Sequence, residues 1–516
     1  MNTYDDVPYS STSYAFTHPS HLAALARLFG IRPVAIDGSR VLEIGCASGG
    51  NLFPLAYSLP KSRFVGIDHS ARQVRDGRSV LEQLGQTSVD LVQQDIMEFA
   101  ATGDKFDFII AHGVYSWVPV PVQDRLLTVC RDNLSDHGIA FVSYNTLPGW
   151  HFRMVVRNAF QFHVAHMSTT QAKLQGARKF LEFLAGTTTS PELRLALETE
   201  MQMLAGENDS FLFHDILETD NNPVYFHEFV SRAEIHGLQY ITDAQFGNTQ
   251  LVNVPPHAAD IIRAAARDDI AVEQYIDFIA NQKFRRSLLC RKELKLDRSL
   301  APSHLFDLYV ASSAQTSTGS PLDLRPGQPQ DFKAPSGVTL TSADPGVKAA
   351  FGRLSEAWPG AVSFADLAAV AASSRLTQIP GAPAAENELA ALLLECYRRG
   401  VISLRAMPDE FTTSISARPV ACAYARFQAA HSGVVTSRLH ETHKTDEFSR
   451  RILPLLDGTR DLDLIVSSLR RQLADETQAP SFPGLPIRER EATDEYLTRV
   501  VTDRITRFAK AAVLVA

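Results

Sequence analysis

The sequence predicts an α/β fold: a mostly parallel sheet flanked by helices, carrying a helical insertion and followed by smaller α+β and winged-helix-like units. Three observations predict it. Between residues 41 and 145 short apolar runs alternate with helical patterns. A glycine-rich turn follows the first of those runs. From residue 151 the alternation gives way to helical spacing alone. Strands that alternate with helices need crossover connections, and these give a parallel sheet with helices on both faces.

The elements follow in order. After a Tyr- and Pro-rich lead, Leu22, Leu25, Ala26 and Phe29 share one face of a helix that starts at Pro19, with Gly30 as its stop. Val41-Leu-Glu-Ile-Gly-Cys-Ala-Ser-Gly-Gly-Asn-Leu52 reads as a buried strand, a glycine turn and a helix start. Gly45 and Gly49 carry no Cβ, so a ligand can lie against the backbone. The next helix begins with free N–H groups and a positive dipole end. Further strands are expected at 63–68, 89–96, 106–112 and 138–145. In the insertion, Phe152, Val155, Val156, Ala159, Phe160 and Val164 recur at helical spacing, and Ser190-Pro191 opens another helix. A helix from Val224, a glycine at 237, a strand to Ile241, helix near 256–282 and a final strand at 284–292 complete a domain ending near 295. Residues 312–345 read as linker mixed with short strands. Three helices and the strand Val401–Arg405 between Lys348 and Met407 suggest a winged-helix-like unit within a middle domain, 296–415. In the last region, 416–516, Leu462, Ile465, Val466 and Leu469 share a helical face, and the apolar tail from Phe508 reads as a packed terminal segment.

Strand tips along one edge of an open parallel sheet form the ligand crevice. Here four tips deliver the glycine turn, Asp68, Asp95 with Ile96, and His112 with Gly113. Asp68 lies where a ribose-binding acid sits, Asp95 can accept from an adenine amino group, and Ile96 can pack on the ring. That is an adenosine-shaped site. A dinucleotide is disfavoured: the turn is not G-x-G-x-x-G, Ala47 stands where a middle glycine would be, and no second nucleotide-binding unit follows. Beyond the fourth and fifth strands, Tyr115 and Trp117 can wall a cationic or amine substrate, and Asn145 can hydrogen-bond at the target atom. Trp150 reads as a buried indole fixing a proline–glycine turn.

The order Glu43-x-Gly45-x-Ala47-x-Gly49, then Asp68, then Gln94-Asp95-Ile96, resembles the Rossmann-like class I S-adenosylmethionine-dependent methyltransferases. With Val7-Pro-Tyr9, Phe16-Thr-His-Pro19, His112-Gly-Val-Tyr-Ser-Trp-Val-Pro119 and Ser143-Tyr-Asn-Thr-Leu-Pro-Gly-Trp-His151, the text is similar to bacterial methyltransferases that carry a regulatory domain, best understood in the rickettsial lysine methyltransferases of outer-membrane proteins. The resemblance implies S-adenosylmethionine as cofactor and S-adenosylhomocysteine as product. The implied cofactor residues are Tyr9, Glu43, Gly45, Cys46, Ala47, Gly49, Asn51, Asp68, His69, Gln94, Asp95, Ile96, His112 and Gly113. Tyr115, Trp117, Asn145 and His112 would serve the methyl transfer itself. It further implies a protein substrate methylated on lysine, an outer-membrane or surface protein before export, and a homodimer through residues 151–220. A small-molecule or natural-product peptide acceptor, and an inactive cofactor-binding scaffold, are the competing readings.

Composition bounds these readings. The 516 residues are 45% hydrophobic and 21% charged, enough for several cores. A net charge of −8 disfavours nucleic acid as partner. The five cysteines include no C-x-x-C pair, so no metal site is expected, and the polar, acidic N-terminus lacks the parts of a secretory signal. No apolar run is long enough to span a bilayer, and an odd cysteine count without a secretory signal fits a reducing cytoplasm, the expected location.

Overall fold

The computed structural model describes residues 11–33, 36–100, 103–204, 212–316, 321–375, 383–474 and 493–516. Its centre is an eight-stranded sheet. Strands β1 (Arg40–Ile44), β2 (Arg63–Asp68), β3 (Val89–Gln93), β4 (Phe106–Ala111) and β5 (Leu134–Leu147) run parallel in the order 3-2-1-4-5. The short β6 (Val224–Tyr225) extends the end of β5. β8 (Phe284–Arg291) runs antiparallel between β5 and β7 (Leu238–Asp243). All six residues of β4 are buried, as a central strand covered on both faces requires. The strand order reverses between β1 and β4, and the crevice of a doubly wound sheet opens at such a reversal.

The first helix, α1 (Pro19–Leu28), buries Leu22, Leu25 and Ala26 as its spacing predicts. Gly30 ends it at φ 77°, with Ile31 N–H donating to the Ala26 carbonyl. Helix α2 (Leu52–Ser58) follows the glycine turn. Helix α3 (Ala71–Leu84) is capped by Ser70, which accepts from Gln73 N–H, and stops at Gly85 (φ 60°). Helix α4 (Val120–Asn133) crosses from β4 to β5.

Among the described residues the insertion carries three long helices, α5 (Gly149–Val164), α6 (Thr170–Thr187) and α7 (Pro191–Leu204), and the helical turn Phe213–Leu217, around a shared core that includes Leu212, Phe213, Ile216 and Leu217. Ser190 caps α7 by accepting from Leu193 N–H, as read from the sequence. The apolar residues of α5 fall on two stripes rather than one. Val156, Phe160 and Val164 point inward, while Phe152 and Val155 are more than half exposed.

After β8 the chain builds a small sheet from β9 (Tyr309–Ala311), β13 (Val362–Ser363) and β14 (Ser403–Arg405), packed with helices 345–357, 364–374 and 383–398. Within the expected linker region lie the short strands β10 (Gln315–Thr316), β11 (Gln330–Lys333) and β12 (Thr339–Ser342). Among its described residues the C-terminal region carries helices 423–431, 447–452, 462–474 and 494–510 and a hairpin, β15 (Val434–Thr436) with β16 (Thr442–Lys444). Its tail is packed: Val513 and Leu514 are buried, and Leu514 bridges to Ala421. One core runs without a break from the α1 side of the large sheet through the middle and C-terminal regions, so the domains are welded rather than strung. Among the described residues no helix is long and apolar enough to cross a membrane, and all five cysteines are buried free thiols.

Candidate functional site

The strand tips meet as the sequence predicts. Gly45 (φ 74°) and Gly49 (φ 83°) make the turn after β1, and Gly45 N–H donates to the Ile67 carbonyl of β2 at 2.8 Å. A Cβ at Gly45 would stand 2.5 Å from the Val114 side chain beyond β4, so the turn tolerates only glycine there on two counts. Ala47 takes up a left-handed conformation itself (φ 50°), the one a middle glycine would adopt freely. Cys46 is buried, with its thiol raised by burial and by Glu43 and Asp68.

Asp68 braces this turn. One carboxylate oxygen accepts from Ala47 N–H and the other from Ser70 N–H, each at 2.8 Å. The Asp68 side chain is half-buried, at the strand tip where a ribose would lie. His69 beside it is exposed. Gln94, Asp95 and Ile96 are half-buried at the tip of β3; Gln94 N–H donates to the Asp68 carbonyl, and Asp95 accepts from Met97 N–H.

Glu43 sits beneath the turn. Asn51 Nδ2 donates to its Oε1 at 2.9 Å, while Oε2 is buried without a hydrogen-bond partner. Burial, reinforced by the Asp68 charge and opposed by the Asn51 hydrogen bond, pushes its carboxyl up to about 8.

At the tip of β4, His112 Nδ1 lies 2.8 Å from Ser143 Oγ of β5, which also accepts from Gly113 N–H at 2.9 Å. Tyr14, Phe16 and Phe284 surround the imidazole, with Tyr14 at a centroid separation of 4.0 Å. The Arg286 guanidinium lies over both Phe16 and Phe284. Burial, then Arg286, lowers His112 to about 3, so the imidazole is neutral at physiological pH. Gly113 is exposed, and a Cβ there would meet nothing within 4 Å.

The expected transfer residues separate. Trp117 is half-buried, edge-on to Trp150 with the Arg157 guanidinium over it, where β4 meets the insertion. Asn145 is buried; its N–H donates to Ser116 Oγ, and its Nδ2 donates to Asn221 Oδ1. Tyr115 does not join them. It is fully buried against Tyr144 and Phe229, and its hydroxyl, without a partner, is raised to about 12 by burial. The turn that carries it rolls the ring under the sheet, so Tyr115 does not wall a pocket, and the aromatic ring against His112 is that of Tyr14. Trp150 is the buried indole expected, with Arg153 stacked on it. Tyr9 lies outside the described residues.

Sequence reasoning missed several neighbours. Tyr14 flanks His112 from the N-terminal lead, its phenol raised by burial and by Glu43 and Asp215 against a hydrogen bond with Thr12. Asp215, at the end of the insertion, is pushed up to about 6 by burial. Ser143, Asn221, Phe284 and Arg286 come from β5, β8 and the return from the insertion. None carries a local motif; only the fold brings them together. Gly50 N–H donates to Ser11 Oγ, so the lead also lies across the glycine turn. A separate cavity of about 320 Å³ opens where α1 meets the middle and C-terminal regions, lined by Phe16, His18, His21, Arg405 and Arg438 among others, and none of the strand tips lines it.

Taken together, the open face at Gly113, the half-exposed Asp68 carboxylate at the tip of β2 and the unpartnered Glu43 Oε2 fit a ligand with a ribose, a ring and a cationic group. Comparison with known proteins accords with this. Residues 36–196 match a methyltransferase domain, residues 208–291 a predicted methyltransferase regulatory domain, and residues 417–513 the PKMT C-terminal winged helix domain. The last match puts the winged helix in the region after the one where the sequence suggested it, although 345–405 also carries three helices against a small sheet. The uncharacterized protein RP789 of Rickettsia prowazekii is 32% identical over 526 residues, covering 100% of this chain and 94% of that protein. The uncharacterized protein RP028 of the same organism is 35% identical over 45% of this chain and 94% of its own length. The structure of PKMT2 from Rickettsia typhi in complex with AdoHcy superposes with a TM-score of 0.85 at 28% identity, covering 99% of this chain and 100% of that one.

Proposed function

Because this chain belongs to the S-adenosylmethionine-dependent methyltransferases that carry a methyltransferase regulatory domain, we propose that it transfers methyl groups to lysine side-chain amines of a protein substrate. The observation that supports this reading most is the end-to-end likeness to PKMT2, which extends through the non-catalytic domains as well as the methyltransferase core. Long regions without catalytic motifs suit a macromolecular acceptor better than a metabolite.

The bound cofactor supplies an electrophilic methyl group on a sulfonium. The glycine turn with Glu43 and Asn51, Asp68, and Asp95 with Ile96 would hold it by its methionine, ribose and adenine parts. His69, Cys46 and Gln94 stand beside them. Trp117 and Asn145 would orient the acceptor, and His112, fixed by Ser143, would position rather than deprotonate, since a neutral imidazole of such low basicity is a poor base. No strong base is required. A lysine amine, with an unperturbed pKa of about 10.4, must lose a proton before attack. The burial and the Arg286 charge that keep His112 neutral would lower the pKa of an amine delivered beside it. Positioning then supplies much of the rate.

The acceptor protein would be an outer-membrane or surface protein met in the cytoplasm before export. A homodimer would form through the insertion, whose Phe152, Val155 and Phe162 present an exposed apolar stripe. The test is incubation of the purified chain and radiolabelled S-adenosylmethionine with a bacterial lysate. Label in protein bands, recovered as methyl-lysine after hydrolysis, is the expected result. Label confined to the small-molecule fraction would favour a metabolite or peptide acceptor, and no label would favour a scaffold.

A further inference from the structure

The C-terminal hairpin reaches the cofactor turn. Its tip, residues 437–441, projects from β15 and β16 onto α2. His440 Nε2 lies 2.7 Å from Asn51 Oδ1, and both side chains are buried. Asn51 Nδ2 donates to Glu43 Oε1, which fixes the amide so that Oδ1 is the acceptor and His440 the donor through Nε2. Tyr14 N–H donates to the same oxygen at 3.1 Å, so the N-terminal lead joins the junction. Three segments thus converge on one amide beneath the glycine turn.

Two details mark this contact as more than packing. Asn51 is the N-cap of α2, and asparagine is among the preferred capping residues, yet its side chain caps nothing in its own helix. It is turned instead between Glu43 and His440. His440, for its part, is held at φ 64°, a left-handed conformation costly for a residue with a Cβ, and its Nδ1 is buried without a partner. Meanwhile Arg438, two residues away, donates to the Tyr57 carbonyl near the other end of α2, and Tyr424 packs on Phe53 and Tyr57. The C-terminal domain therefore grips the helix after the glycine turn at both ends.

We propose that His440 is a positioning residue for the methyl donor: acting from the C-terminal domain through Asn51, it holds Glu43 and the glycine turn in the conformation that binds the cofactor. This rests on the methyltransferase reading above and assigns the winged-helix region a part in cofactor affinity. Docking of that domain, and whatever loosens it, then sets how well the catalytic domain holds its cofactor.

The test titrates the full chain and three variants with S-adenosylhomocysteine by calorimetry and records their ligand-free thermal unfolding. H440G removes the hydrogen bond and relieves the left-handed strain, so affinity should fall about tenfold while the unfolding midpoint stays near that of the parent. H440Q, whose amide N–H can reach Asn51, should recover most of the affinity. S13A cuts a neighbouring contact of the same hairpin, Ser13 Oγ to Thr436 and Thr442, without touching Asn51, and should bind as the parent does. Parent-like affinity in H440G overturns the proposal. So does an equal loss in S13A, or a loss in both His440 variants that tracks a lowered midpoint, since packing alone would then account for it. A parent chain that fails to bind S-adenosylhomocysteine overturns the cofactor reading and this one with it; a parent that binds while H440G binds equally overturns this one alone.

Discussion

Ala47 and Glu43 show how the glycine turn departs from its simplest form. Ala47 sits at φ 50°, where a Cβ costs about 1–2 kcal/mol. The substitution A47G relieves that strain but makes the unfolded chain more flexible, a cost of about 0.5–1 kcal/mol. Stability in denaturant should therefore stay level or rise by up to about 1.5 kcal/mol, and a clear loss would show that the methyl group is packed rather than strained. Glu43 carries a raised carboxyl, so its titration bears on stability with a definite sign. Its folded value of about 8 lies above the unfolded value of about 4.5, so the folded state holds the extra proton between them. Stability from this group is thus lost as pH rises through that window, at most about 1.4 kcal/mol per pH unit. The isosteric E43Q mimics the protonated side chain. Its unfolding free energy should match the parent near pH 4.5 and exceed it by a growing margin up to pH 8, then hold level. A pH-independent difference would place the proton elsewhere. Both residues were visible in the sequence as members of the turn; their strain and protonation were not, because backbone angle and burial belong to the folded environment.

At the scale of elements, the large sheet was legible because each strand carries its own signal. The apolar run of β4 predicts burial on both faces, and the acids at the tips of β2 and β3 mark the crevice edge. Asp68 joins two elements: it fixes the turn after β1 and the start of α3 while half-exposed to the site. D68A should weaken S-adenosylhomocysteine binding by about 1.5–3 kcal/mol, read by calorimetry, as loss of hydrogen bonds to a charged group does. The insertion was less legible. A 3.6-residue spacing identifies a helix but does not say which of two apolar stripes turns inward, so by spacing alone Phe152 and Val155 fall in with Val156 and Phe160. What settles the choice is polar: Arg153 of α5 is buried and pairs with Glu200 of α7 at 2.8 Å while stacking on Trp150. R153A leaves the Glu200 carboxylate buried without that partner and should destabilise the insertion by about 3–5 kcal/mol. Hydrogen exchange across 149–204 would read it, and unchanged protection there would mean the three helices hold by apolar contact alone. Tyr115 was misplaced for a related reason, since a residue one turn beyond a strand tip can roll either toward the crevice or beneath the sheet.

In the whole molecule, the joints between domains are built from histidines that burial keeps neutral. His18, which caps the first helix, and His21 within it face the middle region; His440 faces His18 from the C-terminal hairpin; His112 closes the site against Tyr14 and Phe16. His18 and His112 are lowered to about 3, chiefly by burial and then by Arg405 and Arg286 respectively. His21 and His440 are also lowered, again chiefly by burial, although the hydrogen bond from His21 to the Ala244 carbonyl opposes it. Each folded value lies below the unfolded value of about 6.5, so the unfolded chain binds protons that the folded chain refuses. The stability that these four groups supply is therefore full above about pH 6.5 and is lost as pH falls below it, toward about 3 for His18 and His112, with the four groups adding their slopes. Three of the four lie where the N-terminal helix, middle region and C-terminal hairpin meet, so acid should open those joints before it melts the sheet. Two transitions are expected on acidification: release of the C-terminal region, seen as new protease sites near 405–445, with loss of S-adenosylhomocysteine affinity, and then unfolding of the core at lower pH. A single concerted transition with affinity retained to its midpoint would show that the continuous core, not the neutral histidines, governs how the domains stay joined.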